Sequence, residues 1–207
     1  TLDGTLFPYT TLFRSPTGLT LFITLKPKAR KRMTEPLFLD TDCLSTFLCV
    51  GQEHLVLQLY AGRIGIPQQV YFELRRVQSM KNRVDALLNT KRVMLYQITA
   101  GSDSGNLYLK LTAHPDQGYK IIGSGEAAAI VLTKENNGIL GSNNMRDILP
   151  YIKAFNLQHR TSADIMSEAM GHHLISEGQG NVIWRDMLQR NRKLPTDTFT
   201  EFLRSRK

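Results

Sequence analysis

Three acidic residues stand where a metal-dependent hydrolase would need them. Asp40 closes a short apolar run, Glu73 lies at the charged end of residues 70–76, and Glu126 follows a Gly-Ser-Gly turn and begins a helix of small residues. Carboxylates at strand ends and in first helical turns converge readily at one edge of an α/β sheet, where open sheets place their ligand crevices. Hard cations such as Mg²⁺ prefer sites built from oxygen ligands. The three residues therefore predict a Mg²⁺ or Mn²⁺ site that could hydrolyse phosphodiester bonds.

The elements that must position these acids alternate along the chain from residue 33 onward. Apolar strands are predicted over residues 36–40, 63–66, 93–98 and 138–141. Helices are predicted over residues 43–50, 53–60, 68–77, 80–88, 125–135, 144–155, 162–170, 181–190 and 196–204, whereas 106–113 is ambiguous. Repeated strand–helix alternation indicates a mainly parallel sheet covered on both faces. We therefore expect a single α/β domain over residues 33–207, with residues 176–207 as a helical C-terminal tail.

The first 32 residues have a different character. Residues 5–15 resemble the in-frame translation of a widely used sequencing adapter, and the stretch that follows shows no amphipathic period. Such segments are excluded from fold reasoning. We expect residues 1–32 to be a non-native leader of adapter-like and upstream translation, with Met33 as the natural start. A genuine basic arm is the alternative.

Charge, cysteine spacing and the length of apolar runs indicate which kinds of partner and compartment the protein can have. The net charge is +8, but six basic residues and one acidic residue fall within residues 1–32, so the remainder is only mildly basic. Cys43 and Cys49 form neither a disulfide framework nor a zinc-binding spacing. The apolar run at residues 19–25 is too short to span a bilayer. We expect a cytoplasmic protein without a membrane partner.

Four motifs in order resemble those of the PIN-domain nucleases, most closely the PilT or VapC-like toxin branch. Residues 38–45 (Phe-Leu-Asp-Thr-Asp-Cys-Leu-Ser) are similar to the opening strand of that family, and residues 66–74 are similar to its second motif, in which a proline starts a helix that presents an acid. Residues 123–130 resemble its Gly-Glu-Ala helix start, and residues 138–144 resemble the strand after it. The resemblance covers residues 33 to about 171.

The resemblance implies a three-layer α/β/α PIN-like fold and a specific chemistry. Asp40, Glu73 and Glu126 would be the catalytic residues, holding Mg²⁺ or Mn²⁺ for hydrolysis of RNA. The protein would then be an endoribonuclease, the toxin of a type II toxin–antitoxin pair. Its partners would be an RNA substrate and a small antitoxin protein that covers the acidic groove. The sequence leaves open whether two copies of the chain form a homodimer.

One position departs from the family pattern. The fourth acid of that pattern falls at Asn144, which can offer a carbonyl oxygen to a metal but contributes no charge. Asp147 lies one helical turn further on and is the candidate to supply the missing carboxylate. Asn144 and Asp147 therefore complete the candidate metal ligands. The same departure keeps an alternative open, namely a catalytically weakened PIN-like module that binds RNA or protein without cleavage.

Several candidates also have structural interpretations. Asp42 fits a helix N-cap, Glu73 could be a surface charge, and Glu126 could be an acid favoured by the helix dipole. Asp40, closing a buried strand, is the hardest to explain structurally. Asp164 fits a capping role in a first helical turn.

The C-terminal tail offers two readings as well. Trp184 fits a packing anchor for the tail. The tail is basic through Arg185, Arg190, Arg192, Lys193, Arg204, Arg206 and Lys207. A solvated helical face is the default interpretation, and contact with an RNA backbone is the alternative.

Overall fold

The computed structural model of the chain describes residues 12–14, 20–22 and 35–206. The chain divides into two compact units, Thr1–Met33 and Thr34–Lys207. In the first unit, strand β1 (Leu12–Arg14) pairs antiparallel with strand β2 (Thr20–Phe22). The prediction of a non-native leader over residues 1–32 falls mainly outside the described residues, and it stays a prediction.

Removal of residues 1–32 is expected to leave the thermal midpoint of unfolding unchanged, because an adapter-like sequence was never selected to pack. Thermal unfolding of the full chain and of a chain that begins at Met33 gives the comparison. A loss of more than about 5 °C, on the order of 1–2 kcal/mol at this size, would show that the segment belongs to the fold.

The second unit is built on a five-stranded sheet. Its strands are β3 (Leu37–Leu39), β4 (Ile64–Pro67), β5 (Met94–Tyr96), β6 (Ile139–Gly141) and β7 (Gln158–Arg160). The order across the sheet is β5-β4-β3-β6-β7, and every neighbouring pair is parallel. The predicted α/β class with a mainly parallel sheet is confirmed. The strand β7 was not predicted, because its Gln-His-Arg sequence carries no apolar residue.

The strand order fixes where a ligand site can form. From the central strand β3 the chain moves outward to β4 and β5, and it then returns to place β6 and β7 on the other side of β3. The carboxyl ends of β3 and β6 are therefore neighbours at the point where the order reverses. Open parallel sheets bind ligands in the crevice outside such a switch point.

Ten helices connect and cover the strands in the part of the chain that the structure describes. They are α1 (Thr41–Leu48), α2 (Glu53–Leu59), α3 (Gln68–Leu74), α4 (Gln78–Asn89), α5 (Asp103–Thr112), α6 (Ser124–Glu135), α7 (Met145–Phe155), α8 (Ser162–Gly171), α9 (Glu177–Gln189) and α10 (Phe199–Ser205). The ambiguous segment of the sequence forms α5. Among residues 35–206, no helix has the length and apolar character that a membrane crossing requires.

Two apolar clusters pack on opposite faces of the sheet. Neighbouring residues of β6 show this directly, because Ile139 belongs to one cluster and Leu140 to the other, and successive side chains of a strand point to opposite faces. Helices α1–α4 and α8–α10 contribute to the first cluster, and α5–α7 to the second. The sheet is thus covered on both sides, as the alternation of elements predicts.

Trp184 anchors the C-terminal tail. Its side chain is fully buried and stacks against Phe202, with Phe199 also in ring contact. The indole Nε1–H donates to the carbonyl oxygen of Thr196 at 2.9 Å, so its one polar group is satisfied. These contacts agree with the packing role expected for Trp184, and they fix the turn between α9 and α10 against the domain.

Candidate metal centre

Asp40 stands at the carboxyl end of the central strand, at the switch point. Its backbone N–H donates to the carbonyl oxygen of Gly141 in β6, and its Oδ1 accepts from the backbone N–H of Cys43 at 2.7 Å. Asp40 is therefore the N-cap of α1, and the interpretation of Asp42 as that cap is wrong. Asp40 is only 1% exposed, yet its Oδ2 atom has no hydrogen-bond partner of normal geometry.

Burial raises the pKa of Asp40 from 3.8 to about 7. The hydroxyl of Ser142 and the backbone N–H of Cys43 act in the opposite direction, while the carboxylates of Asp42 and Glu126 raise the pKa further. Crowded carboxylates repel one another and raise one another's pKa values. Repulsion contributes, but desolvation is the larger cause.

Glu73 is held by donors from two other elements. Its Oε1 accepts from the Ser124 hydroxyl at 2.6 Å and from the backbone N–H of Gly125 at 3.0 Å, both in the first turn of α6. Its Oε2 accepts from the Thr41 hydroxyl in α1. A carboxylate fixed by three donors is not an ordinary surface charge. Glu73 instead links α3, α1 and α6 at the edge of the sheet.

Gly125 is required by the approach of the Glu73 carboxylate. A Cβ atom at this position would lie 2.7 Å from the Thr41 hydroxyl and 2.9 Å from Glu73 Oε2. Contacts this short do not occur in folded proteins without movement of one partner. The glycine therefore allows the start of α6 to pack directly against the acid that the sequence singled out.

Gly125→Ala is expected to lower the free energy of unfolding by about 1–3 kcal/mol, because the methyl group must displace the Glu73 carboxylate. Gly171→Ala is the matched control, since a Cβ atom there meets nothing within 4 Å and removes the helical penalty of glycine. Denaturant unfolding of both variants measures the difference. Equal stability of the two would show that the Glu73 carboxylate is not held against α6.

Glu126 and Asp147 are joined by the amide of Asn144. Asn144 Nδ2 donates to Glu126 Oε1 at 2.7 Å and to Asp147 Oδ2 at 2.8 Å. The bond from Asn144 lowers the pKa of Asp147, with Arg146 as a second donor. Both hydrogens of the amide are thus engaged with carboxylates. The amide group therefore lies between the two carboxylates.

Asp40, Glu73 and Glu126 line one cavity of about 370 Å³. Its other lining residues are Thr41, Asp42, Ser45, Gly123, Gly125 and Arg192. The three predicted acids are therefore brought together on one side of the sheet. Within residues 35–206, however, no group of three or more His, Cys, Asp or Glu side chains is already arranged to hold a metal ion. Glu73 and Glu126 accept hydrogen bonds from protein donors.

Sequence reasoning missed the direct part that Arg192 plays at this site. Arg192 lies in the turn after α9 and reaches α1, where Nη1 donates to the hydroxyl of Ser45, 147 positions earlier in the chain, at 3.1 Å. The sequence shows only a basic tail, without a periodicity that could single out this arginine. The role of Ser142 beside Asp40 was signalled by its place at the end of the fourth predicted strand.

Two other sequence candidates have structural roles. The Asp164 carboxylate accepts from the backbone N–H and hydroxyl of Thr161, which completes the cap of α8. Arg206 also pairs with Asp164. These contacts agree with the capping role expected for Asp164 and leave it outside the lining of the acidic cavity.

Compared with known proteins, the chain matches no protein-family model, and no curated sequence matches it significantly. The proposal of a metal ion at this site therefore rests on the geometry of its residues.

Proposed function

We propose that the protein is a Mg²⁺- or Mn²⁺-dependent endoribonuclease with a PIN-like fold. The observation that carries this proposal is Asp40 Oδ2, a buried carboxylate oxygen without a hydrogen-bond partner of normal geometry, in a residue that lines a cavity with Glu73 and Glu126. A buried polar atom left unpaired costs free energy unless a proton or a cation compensates it. A divalent cation would supply that compensation and remove the repulsion among the acids.

The residues present fit such a cation. Oxygen ligands from carboxylates are what Mg²⁺ and Mn²⁺ prefer, and Asp40, Glu73 and Glu126 would hold the ion. Each carboxylate oxygen has two lone pairs, so Glu73 Oε2 and Glu126 Oε1 can each accept one protein donor and still bind a cation. The bound ion would activate water and stabilise charge on the phosphate oxygens.

Hydrogen bonds restrain these carboxylates, although within residues 35–206 they are not already arranged around an ion. The bond from Cys43 N–H to Asp40 Oδ1 fixes the plane of that carboxylate and leaves Oδ2 for the ion. The donors from Thr41, Ser124 and Gly125 restrain Glu73 in the same way. Ligands restrained by neighbouring hydrogen bonds lose less freedom on binding, which favours affinity and correct geometry.

The RNA substrate and the protein partner rest on the resemblance in the sequence. The order and spacing of the four motifs support a toxin of a type II toxin–antitoxin pair, with a small antitoxin protein covering the acidic groove. Asn144 and Asp147 lie beside Glu126 and would serve a second ion only if the amide gave up its bonds to both carboxylates. One ion is therefore the expected complement of this chain.

Incubation of the protein with a mixture of RNAs in Mg²⁺, Mn²⁺ or EDTA tests the proposal. We expect cleavage with either ion and none in EDTA, since the acids cannot bind and activate water alone. Cleavage that persists in EDTA would contradict a metal-dependent mechanism. Cleavage of DNA but not RNA under the same conditions would contradict the assignment of substrate.

A second candidate is a PIN-like module that binds RNA or protein without cleaving it. The observation that favours it is the Asn144 amide, which satisfies Glu126 and Asp147 internally and reduces their demand for a cation. Binding of RNA with the same affinity in Mg²⁺ and EDTA, without any cleavage, would support this module. A strict requirement for the ion in cleavage would exclude it.

A further inference from the structure

A second cavity continues the acidic one. It has a volume of about 480 Å³ and shares Asp42 and Glu126 with the cavity that Asp40 lines. Its other lining residues are Asn143, Asn144, Arg146, Asp147, Asn191 and Lys193. The shared residues make the two cavities one groove, called here the acidic groove. Cations from α7 and from the turn after α9 line its second part.

Arg192 brings a positive charge into the first part of the groove. Its Nη1 donates to the Ser45 hydroxyl at 3.1 Å and lies 3.6 Å from Asp42 Oδ1. Its Nε is buried and has no hydrogen-bond partner. A guanidinium carries five N–H donors in a planar fork that matches phosphate oxygens. The contacts with Ser45 and Asp42 therefore hold Arg192 in place without satisfying it.

The first part of the groove thus contains two unsatisfied groups of opposite kind. Asp40 Oδ2 is an acceptor that no donor meets in normal hydrogen-bond geometry, although the Ser142 hydroxyl is nearby, and Arg192 Nε is a donor without an acceptor. Both residues line the same cavity. A cation alone would compensate the first, and an anion alone the second. A phosphate group accompanied by a divalent cation would compensate both.

We propose that Arg192 binds a non-bridging oxygen of the RNA phosphate that lies over Asp40, and that Lys193 and Arg146 bind the flanking phosphates. This inference rests on the proposed function and names the groups that hold its substrate. Lys193 and Arg146 are exposed and line the continuation of the groove, and a polynucleotide chain carries successive phosphates that could contact both parts of the groove. The recessed position of Asp40 favours a single strand, whose backbone can enter a pocket that a rigid duplex cannot.

The competing role for Arg192 is that of an internal counter-ion. Four residues with carboxyl groups line the first part of the groove, namely Asp40, Asp42, Glu73 and Glu126, and one arginine could serve only to reduce their repulsion. The two roles predict opposite effects. Loss of a counter-ion would strengthen the binding of Mg²⁺ and leave the phosphate contacts unchanged, whereas loss of a phosphate ligand would weaken the binding of RNA.

Fluorescence anisotropy with a short single-stranded phosphorothioate RNA in Mg²⁺ separates these roles. Arg192→Gln is expected to weaken binding about 10-fold and to reduce the slope of log affinity against log salt by about 0.7, the value for one phosphate contact on a single strand. Arg185→Gln is the control, because it removes the same charge from exposed α9 outside the groove lining. It should change the affinity and the slope by less.

Two further variants distinguish a loss of RNA binding from a folding defect in Arg192→Gln. Lys193→Gln alters an exposed residue and should also reduce the salt slope. Arg192→Lys keeps the charge but loses the fork, and its affinity should fall between those of the wild type and Arg192→Gln. The inference is overturned if Arg192→Gln and Arg185→Gln behave alike at every salt concentration, or if Arg192→Gln only strengthens Mg²⁺ binding.

The cleavage assay keeps this inference distinct from the proposed function. RNA cleavage by the wild type together with unchanged binding by Arg192→Gln would overturn the role of Arg192 alone. Binding that depends on Arg192 and Lys193, without cleavage of any RNA, would uphold that role and contradict the nuclease.

Discussion

Asp40→Asn is expected to lower the rate of RNA cleavage by about 100- to 10,000-fold, or about 3–5 kcal/mol of transition-state stabilisation. The variant keeps the oxygen that accepts from Cys43 N–H and so retains the cap of α1. It removes the charge at Oδ2, the position where the cation is proposed to bind. Single-turnover cleavage in Mg²⁺ measures the effect.

The same variant is expected to be more stable than the wild type in EDTA at high pH. Because the pKa of Asp40 is raised from 3.8 to about 7, its ionisation destabilises the folded state. That penalty is absent below pH 4, grows between pH 4 and 7, and is complete above about 7. Asp40→Asn should therefore gain about 1–4 kcal/mol over the wild type at pH 8 and almost nothing at pH 4. Denaturant unfolding at the two pH values gives the comparison.

Asp197→Asn is the control for both measurements, since Asp197 is exposed in the turn before α10. It should cleave RNA at the wild-type rate and show no gain in stability at pH 8. Full activity of Asp40→Asn would contradict the catalytic role. Loss of activity together with lower stability at pH 8 would indicate a structural role for Asp40.

Asn144→Asp is expected to have opposite effects without and with a metal ion. In EDTA it should be less stable, because the hydrogen bond to Glu126 alone contributes about 1.5–3 kcal/mol as a bond to a charged group, and a like charge replaces it. In Mg²⁺ the extra carboxylate should strengthen ion binding about 10-fold or more. Thermal unfolding over a Mg²⁺ titration measures both effects, since a ligand at about 100 times its Kd stabilises by about 2.7 kcal/mol.

Asn144→Ala provides the matched control. It removes the amide bridge between Glu126 and Asp147 but adds no charge, so it should lose stability in EDTA without gaining affinity for Mg²⁺. If Asn144→Asp and Asn144→Ala respond equally to Mg²⁺, the fourth position of the acidic set does not contact a cation in this chain.

The sequence was sufficient to predict four of the five strands of the sheet and the grouping of the acids. The strands that place Asp40 and its neighbours are short apolar runs, and their alternation with helices indicates parallel pairing. Once β3 and β6 adjoin, the residues after them must share one edge of the sheet. Carboxylates at strand ends and in first helical turns converge at that edge, and this expectation brought Asp40, Glu73 and Glu126 together from the sequence alone. The strand β7 was missed, because a polar edge strand has no apolar pattern.

The hydrogen bonds within the site could not be read from the sequence. The side chain of Asn144 can turn either its carbonyl oxygen or its NH₂ group toward the site. Which one it turns depends on the positions of Glu126 and Asp147, which only the folded chain fixes. The choice of Asp40 over Asp42 as N-cap depends on where β3 ends. Arg192 meets Ser45 and Asp42 through contacts distant in the chain, which no local sequence pattern signals.

Anomalous scattering from a crystal of the protein soaked in Mn²⁺ is the most direct test of whether Asp40, Glu73 and Glu126 bind a divalent cation. We expect an anomalous peak for Mn²⁺ in the cavity between Asp40, Glu73 and Glu126. The distance from this ion to Asp40 Oδ2 should be about 2.0–2.2 Å, as for a small divalent ion. In an Asp40→Asn crystal treated in the same way, this peak should be absent or much weaker. A cavity without any peak, in a protein whose RNA cleavage requires Mn²⁺, would contradict the account.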